Sequence, residues 1–134
     1  MLSKRNLLGV LGLCLTLNLA SVASVAFAQE KKPFDRADFE AAQAAGKPIL
    51  IDVSAPWCPT CKAQAPILSK LMSDPRFKGV IAFNIDYDSQ KDLLRKFNVQ
   101  RQSTLIVFKG KQEAGRSVGD TNPASIEAML AKAI

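Results

Sequence analysis

The run Pro48–Ser54, PILIDVS, constrains this chain more than any other stretch. It is continuously apolar and rich in β-branched residues, without the in–out alternation of a strand that shows one face to water. Such a strand is buried on both faces, so other elements must cover both sides of its sheet. VIAFNID, residues 80–86, repeats the pattern. Before the first run, and after a short charged lead, FDRADFEAAQAAG carries Phe34, Ala37, Phe39 and Ala41 to Ala45 at helical spacing, with Asp35 as N-cap, Asp38 three residues on and Gly46 as the stop. CPTCKAQAPILSKLM reads as a helix starting at Cys58, with Ile67, Leu68, Leu71 and Met72 turned inward and a kink at Pro66. SDPRFKG reads as a loop or short irregular turn, and a helix near Ser89 to Phe97 packs Leu93, Leu94 and Phe97 inward. STLIVFKGKQEAGRSVG is a hairpin turning around Gly110. Asn122-Pro123 then starts a C-terminal helix whose inner face is Ile126, Met129, Leu130 and Ile134. This order predicts an α/β fold of three layers, a mixed central sheet with helices on both faces. Asp52, a carboxyl inside a buried strand, is the oddity to be explained.

Residues 1–28 stand outside that order. Lys4 and Arg5 form a basic start, a leucine-dominated run spans Leu7 to Leu19, and Ala26-Phe27-Ala28 offers small residues for cleavage. The segment is read as an export signal, so that 1–28 is removed and 29–134 forms a single domain beginning near Gln29. Its strongly apolar part is shorter than the roughly 20 residues of a membrane span, and no stable membrane insertion is expected after cleavage. Leu13 precedes Cys14 where a lipoprotein signal has a small residue, so Cys14 leaves with the signal. The expected location is the periplasm. Loss of Lys4 and Arg5 lowers the formal charge from +6 to +4. The remaining basic residues are scattered, with no run beyond Lys31-Lys32 or Arg95-Lys96, which speaks for a solvated surface and against nucleic acid as a partner.

Residues 29–134 then hold two cysteines, Cys58 and Cys61, in a compartment where disulfides persist. A zinc site needs two more ligands, and the chain has no histidine. Within one chain no metal is expected, although a dimer that pairs two CxxC motifs would supply four thiolates. A purely structural disulfide across so short a loop adds little stability. Redox chemistry is the stronger reading. At the N-cap of a helix whose next residue is proline, Cys58 meets unpaired backbone donors and the positive end of the helix dipole, which favours a thiolate nucleophile. Three helical residues on, Cys61 returns to the same face, one turn deeper and within disulfide reach. In the expected reaction Cys58 attacks a substrate disulfide and Cys61 resolves the mixed disulfide.

In family order, the Asp52 strand, Trp57-Cys58-Pro59-Thr60-Cys61-Lys62, Pro66, Asn84-Ile85-Asp86, TLIVFKG and Gly119 resemble the thioredoxin family over nearly the whole of residues 29–134. The resemblance implies a thioredoxin-like three-layer sandwich and a protein thiol-disulfide oxidoreductase without a cofactor. It also supports Asp52 as the group that exchanges a proton with Cys61, a task suited to a carboxyl whose charged form burial disfavours. The other reading of Asp52 is a capping role at the strand end. Trp57 is either core or, directly before the nucleophile, part of the platform that receives substrate. Pro59, Thr60, Gln102 and Ser103 complete the expected substrate-binding surface, while Lys62 is either an idle surface residue or a weak source of positive charge. Two positions depart from the family. Ser103 stands where thioredoxin-like proteins place a cis-proline, so a trans Gln102–Ser103 bond and a reshaped loop are expected, with the Ser103 N–H and hydroxyl close to the sulfurs. Ala82 stands where many of them carry a lysine beside the buried aspartate, which shifts proton transfer toward water. CPTC is similar to reductases that serve cytochrome c maturation and draw on a membrane thiol carrier, although their central insertion is lacking. The expectation is thus an exported monomeric reductase of disulfide-bonded proteins; the alternative is a thioredoxin-fold binding module that holds a metal between two subunits or docks a partner without turnover.

Overall fold

The computed structural model describes residues 30–134, so the export-signal reading of 1–28 lies outside the described residues. Four helices and five strands follow in the order β1 (Lys32–Pro33), α1 (Arg36–Ala44), β2 (Pro48–Ser54), α2 (Pro59–Met72), β3 (Ile81–Asp86), α3 (Lys91–Lys96), β4 (Thr104–Lys109), β5 (Gln112–Val118) and α4 (Pro123–Leu130). The sheet runs β1-β3-β2-β4-β5. Strand β2 is parallel to β3, Asp52 opposite Asn84, and antiparallel to β4, Asp52 opposite Leu105. A mixed sheet of this kind, with its central strand buried from Ile49 to Val53, is the expected α/β sandwich.

Alternation along β2 sorts the core into two layers. Leu50 joins Leu68 and Leu71 of α2, Leu105 and Val107 of β4 and Ile126 and Leu130 of α4 on one face. Ile49, Ile51 and Val53 point the other way, toward Phe39 of α1 and Leu94 of α3. On that second face Phe39 sits among four further rings, those of Phe34, Phe83, Phe97 and Phe108, at centroid separations of 5.3, 6.0, 5.4 and 5.5 Å.

Local signals set most boundaries. Asp35 caps α1 by accepting the Asp38 N–H, and Gly46, at φ +67°, turns the chain out of it while Lys47 N–H donates to Ala42 O. Asn122 caps α4 by accepting the Ser125 N–H, with Pro123 in the first turn. Pro66 lies within α2 without ending it. The segment after α2 is a single 3-10 turn, Pro75–Phe77, capped by Asp74 and burying Phe77.

Three expectations need correction. The charged lead contains β1, which pairs parallel to β3 with Lys32 opposite Phe83 and Pro33 opposite Asn84. Helix α3 starts later than Ser89, because the Asp86 carboxylate takes the N–H groups of Asp88 and Ser89 into a turn. Ile134 is 48% exposed and not part of the inner face of α4. The last turn, Ala131–Ala133, tightens to a 3-10 helix, whose larger rotation per residue carries Ala133 inward in its place.

Candidate active site

Strand β2 ends at Ser54, and the chain turns through Ala55, Pro56 and Trp57 into α2. Cys58 N–H donates to Ala55 O, which closes that turn. Cys58 is extended (φ −82°, ψ 111°) and serves as the N-cap; its Sγ accepts the Cys61 N–H at 3.1 Å, and Pro59 occupies the first helical position. One of the four N–H groups left unpaired at a helix start is thus satisfied by sulfur. Cys58 and Cys61 form a disulfide with a Cα–Cα distance of 5.3 Å.

Sequence spacing puts Cys61 deeper than Cys58, whereas in the disulfide form Cys58 is the more covered, at 1% exposure against 8%. Both cluster with Ala55, and Tyr87, just past the end of β3, packs against that cluster. The Tyr87 hydroxyl donates to Gln100 O. Trp57 is 55% exposed and its Nε1–H donates to Asp88 at 2.8 Å, so the ring lies on the surface beside the cysteine pair and is not core. Pro59 is exposed, and Thr60 and Gln102 are half-buried.

Asp52 is 3% exposed. By alternation it shares the sheet face of Leu50, the one covered by α2 and α4, and Cys61 heads the inward stripe of α2 that continues through Gln64, Leu68 and Leu71. Asp52 and Cys61 are therefore brought to the same side of the sheet. The carboxylate forms an ion pair with Lys31, whose side chain is 30% exposed. The ammonium that Ala82 does not provide thus arrives from the residue directly before β1, and Asp52 is an interior carboxylate with a partly buried partner.

The loop before β4 is built on Ser103. The described chain has no cis peptide bond, so Gln102–Ser103 is trans, and Ser103 takes φ +56°, the left-handed region that is costly for a residue with a Cβ. Its carbonyl accepts Gly119 N–H at 2.9 Å and Gln64 Nε2 at 3.3 Å. Gln64 also donates to Asp120 O, so one buried amide ties α2 to both loops; its Oε1 has no partner. The Ser103 hydroxyl donates to Gln102 O at 2.6 Å and, among the described residues, no hydrogen bond joins Ser103 to either sulfur of the disulfide. With its backbone turned left-handed, the side chain reaches back to the preceding carbonyl.

Sequence reasoning did not single out Lys31, Gln64, Tyr87 or Asp88. Gln64 had a signal, as a polar residue three places from Cys61 on a stripe that is otherwise apolar.

The turn presenting Asp88 to Trp57 depends on Asp86. Backbone N–H groups of Ser89 and Asp88 hold the Asp86 carboxyl below its ordinary value of 3.8. Its ionised form is favoured more in the folded chain than in the unfolded one. The resulting stability is present above that ordinary value and is lost as pH falls through the lower folded one. Asp86→Asn is expected to weaken the fall in melting temperature below about pH 4, as thermal melts in acid would show.

A disulfide-bonded CxxC pair at a helix N-terminus, on a mixed sheet covered by helices on both faces, defines a thiol-disulfide oxidoreductase of the thioredoxin fold. Among the described residues no three His, Cys, Asp or Glu side chains are grouped to hold a metal ion. The family model for Thioredoxin matches residues 30–132. The chain is 32% identical over 91 residues to Thioredoxin Asp f 29 of Aspergillus fumigatus, covering 68% of this chain and 82% of that protein. It is 34% identical over 95 residues to Thioredoxin-2 of Saccharomyces cerevisiae, covering 70% and 88%. Its structure resembles that of Trxlp from Edwardsiella tarda EIB202, with 40% identity, a TM-score of 0.73, and coverage of 75% of this chain and 98% of the other. The chain belongs to the thioredoxin family.

Proposed function

We propose that this protein is an exported, periplasmic reductase of protein disulfides that acts as a monomer and draws electrons from a membrane thiol carrier. The placement of Cys58 Sγ on a helix N-terminal N–H carries the reading, because that placement favours the thiolate needed for attack. In the reduced protein the Cys58 thiolate attacks one sulfur of a substrate disulfide and expels the other as a thiolate, which is then protonated. Cys61 gives its proton to the Asp52 carboxylate, directly or through water, and attacks Cys58 Sγ. The second substrate thiolate leaves and takes the proton, so that one substrate disulfide becomes two thiols while the Cys58–Cys61 bond forms. The exposed Trp57 ring, Pro59, Thr60 and Gln102 form the surface that the substrate meets, with Ser103 beneath it setting the loop. The basic, leucine-rich start of the chain supports export.

Equilibration of the purified protein with dithiothreitol redox buffers tests the direction. A reductase is expected to have a potential near that of thioredoxin, about −270 mV, whereas a value near −120 mV marks an oxidant. Cell fractionation tests the location, where a cytoplasmic full-length chain overturns the export reading. A metal-loaded dimer without insulin reductase activity overturns the enzymatic one.

A further inference from the structure

We propose that Lys31, directly before the N-terminal strand, is a positioning residue that holds the Asp52 carboxylate in place for the Cys61 step. This rests on the reductase reading and deepens it. Two independent features place Lys31. Strand β1 is fixed in register on β3, Lys32 opposite Phe83 and Pro33 opposite Asn84, and Phe34 N–H donates to Asn84 O. Lys32 lies on the far face, its ammonium 5.1 Å from the centre of the Phe83 ring. Alternation then sends Lys31 to the face of Leu50, Ala82 and Asp52. There the small side chain of Ala82 leaves room, and the ammonium reaches the buried carboxylate.

The other groups around Asp52 do not carry charge. Its neighbour on β3 is Asn84, whose amide donates to Asp52 O, and on β4 it is Leu105. From α4 come Ile126, Met129 and Leu130, and from α2 the inward stripe is Cys61, Gln64, Leu68, Leu71 and Met72. Cys61 is the one titratable member of that set besides Asp52 itself. An adjacent ammonium favours the ionised form of a carboxylate, and in a buried site little water is present to do so instead. With Lys31 in place, the carboxylate is held on the sheet face that Cys61 also occupies, where it can take the Cys61 proton. Without it, the resolving thiolate forms more slowly.

The test is the pH profile of mixed-disulfide resolution, followed by stopped flow with the reduced protein and a model aromatic disulfide. In Lys31→Met, and likewise in Lys31→Gln should the first variant melt too early, resolution is expected to slow roughly tenfold at neutral pH, with its profile displaced to higher pH. Lys31→Arg restores it. Lys32→Met, on the opposite face, leaves it in place, and in an Asp52→Asn background Lys31→Met produces no further change. A profile for both charge-removing variants that overlies the wild type, while Cys58 adducts still form, overturns the proposal and leaves the reductase reading standing. Failure of the wild type to exchange at all overturns both.

Discussion

Cys61→Ser is expected to leave Cys58 covalently attached to its substrates, because the mixed disulfide forms and then has no internal thiol to release it. In residues 29–134 only Cys58 would then carry sulfur able to form a disulfide, so each adduct maps to that position. Cys58→Ser is expected to reduce exchange to the uncatalysed rate in buffer, since a hydroxyl at the N-cap is not a nucleophile at neutral pH. Non-reducing gels and mass spectrometry of cells producing each variant read both outcomes. Adducts with Cys61→Ser and none with Cys58→Ser support the assigned order of attack. The reverse pattern would reverse the two roles, a real alternative given that the disulfide form covers Cys58 more than Cys61.

The largest effect on stability is expected at Phe39→Ala. Phe39 is 3% exposed and its ring meets those of Phe34, Phe83, Phe97 and Phe108. Truncating a buried phenylalanine costs about 3–5 kcal/mol, against a total of about 5–15 kcal/mol for a domain. For a chain of this size the melting temperature falls by roughly 15 °C or more. The cluster lies on the face of the sheet opposite Asp52, so exchange measured at a temperature where the variant is folded should match the wild type. A fall of only a few degrees would mean that neighbouring rings collapse into the space.

What was legible in the sequence was local. PILIDVS needs no partner information to be read as a strand buried on both faces, and Asp35, Asn122 and Cys58 are capping residues directly before their helices. The cysteine pair was legible for the same reason, since three residues of one helix fix the distance between the sulfurs. Lys31 was not, because its role depends on which strand β1 pairs with and in what register, neither of which two residues can encode. Ser103 was legible as a departure but not in its outcome: the trans bond follows from the absence of proline, while the left-handed backbone follows from Gly119 and Gln64 claiming its carbonyl. The inward place of Ala133 depends on a helix tightening that residue periodicity does not reveal.

The left-handed backbone at position 103 also bears on how such a chain can change over time. Proline holds φ near about −65°, some way around the dihedral circle from the +56° found here. Acquiring proline by one substitution would swing the carbonyl off both Gly119 and Gln64, leaving the Gln64 amide with Asp120 O as its remaining acceptor. The two loop designs thus differ in backbone as well as in side chain, and exchanging serine for proline here requires contacts from residues distant in sequence to be remade.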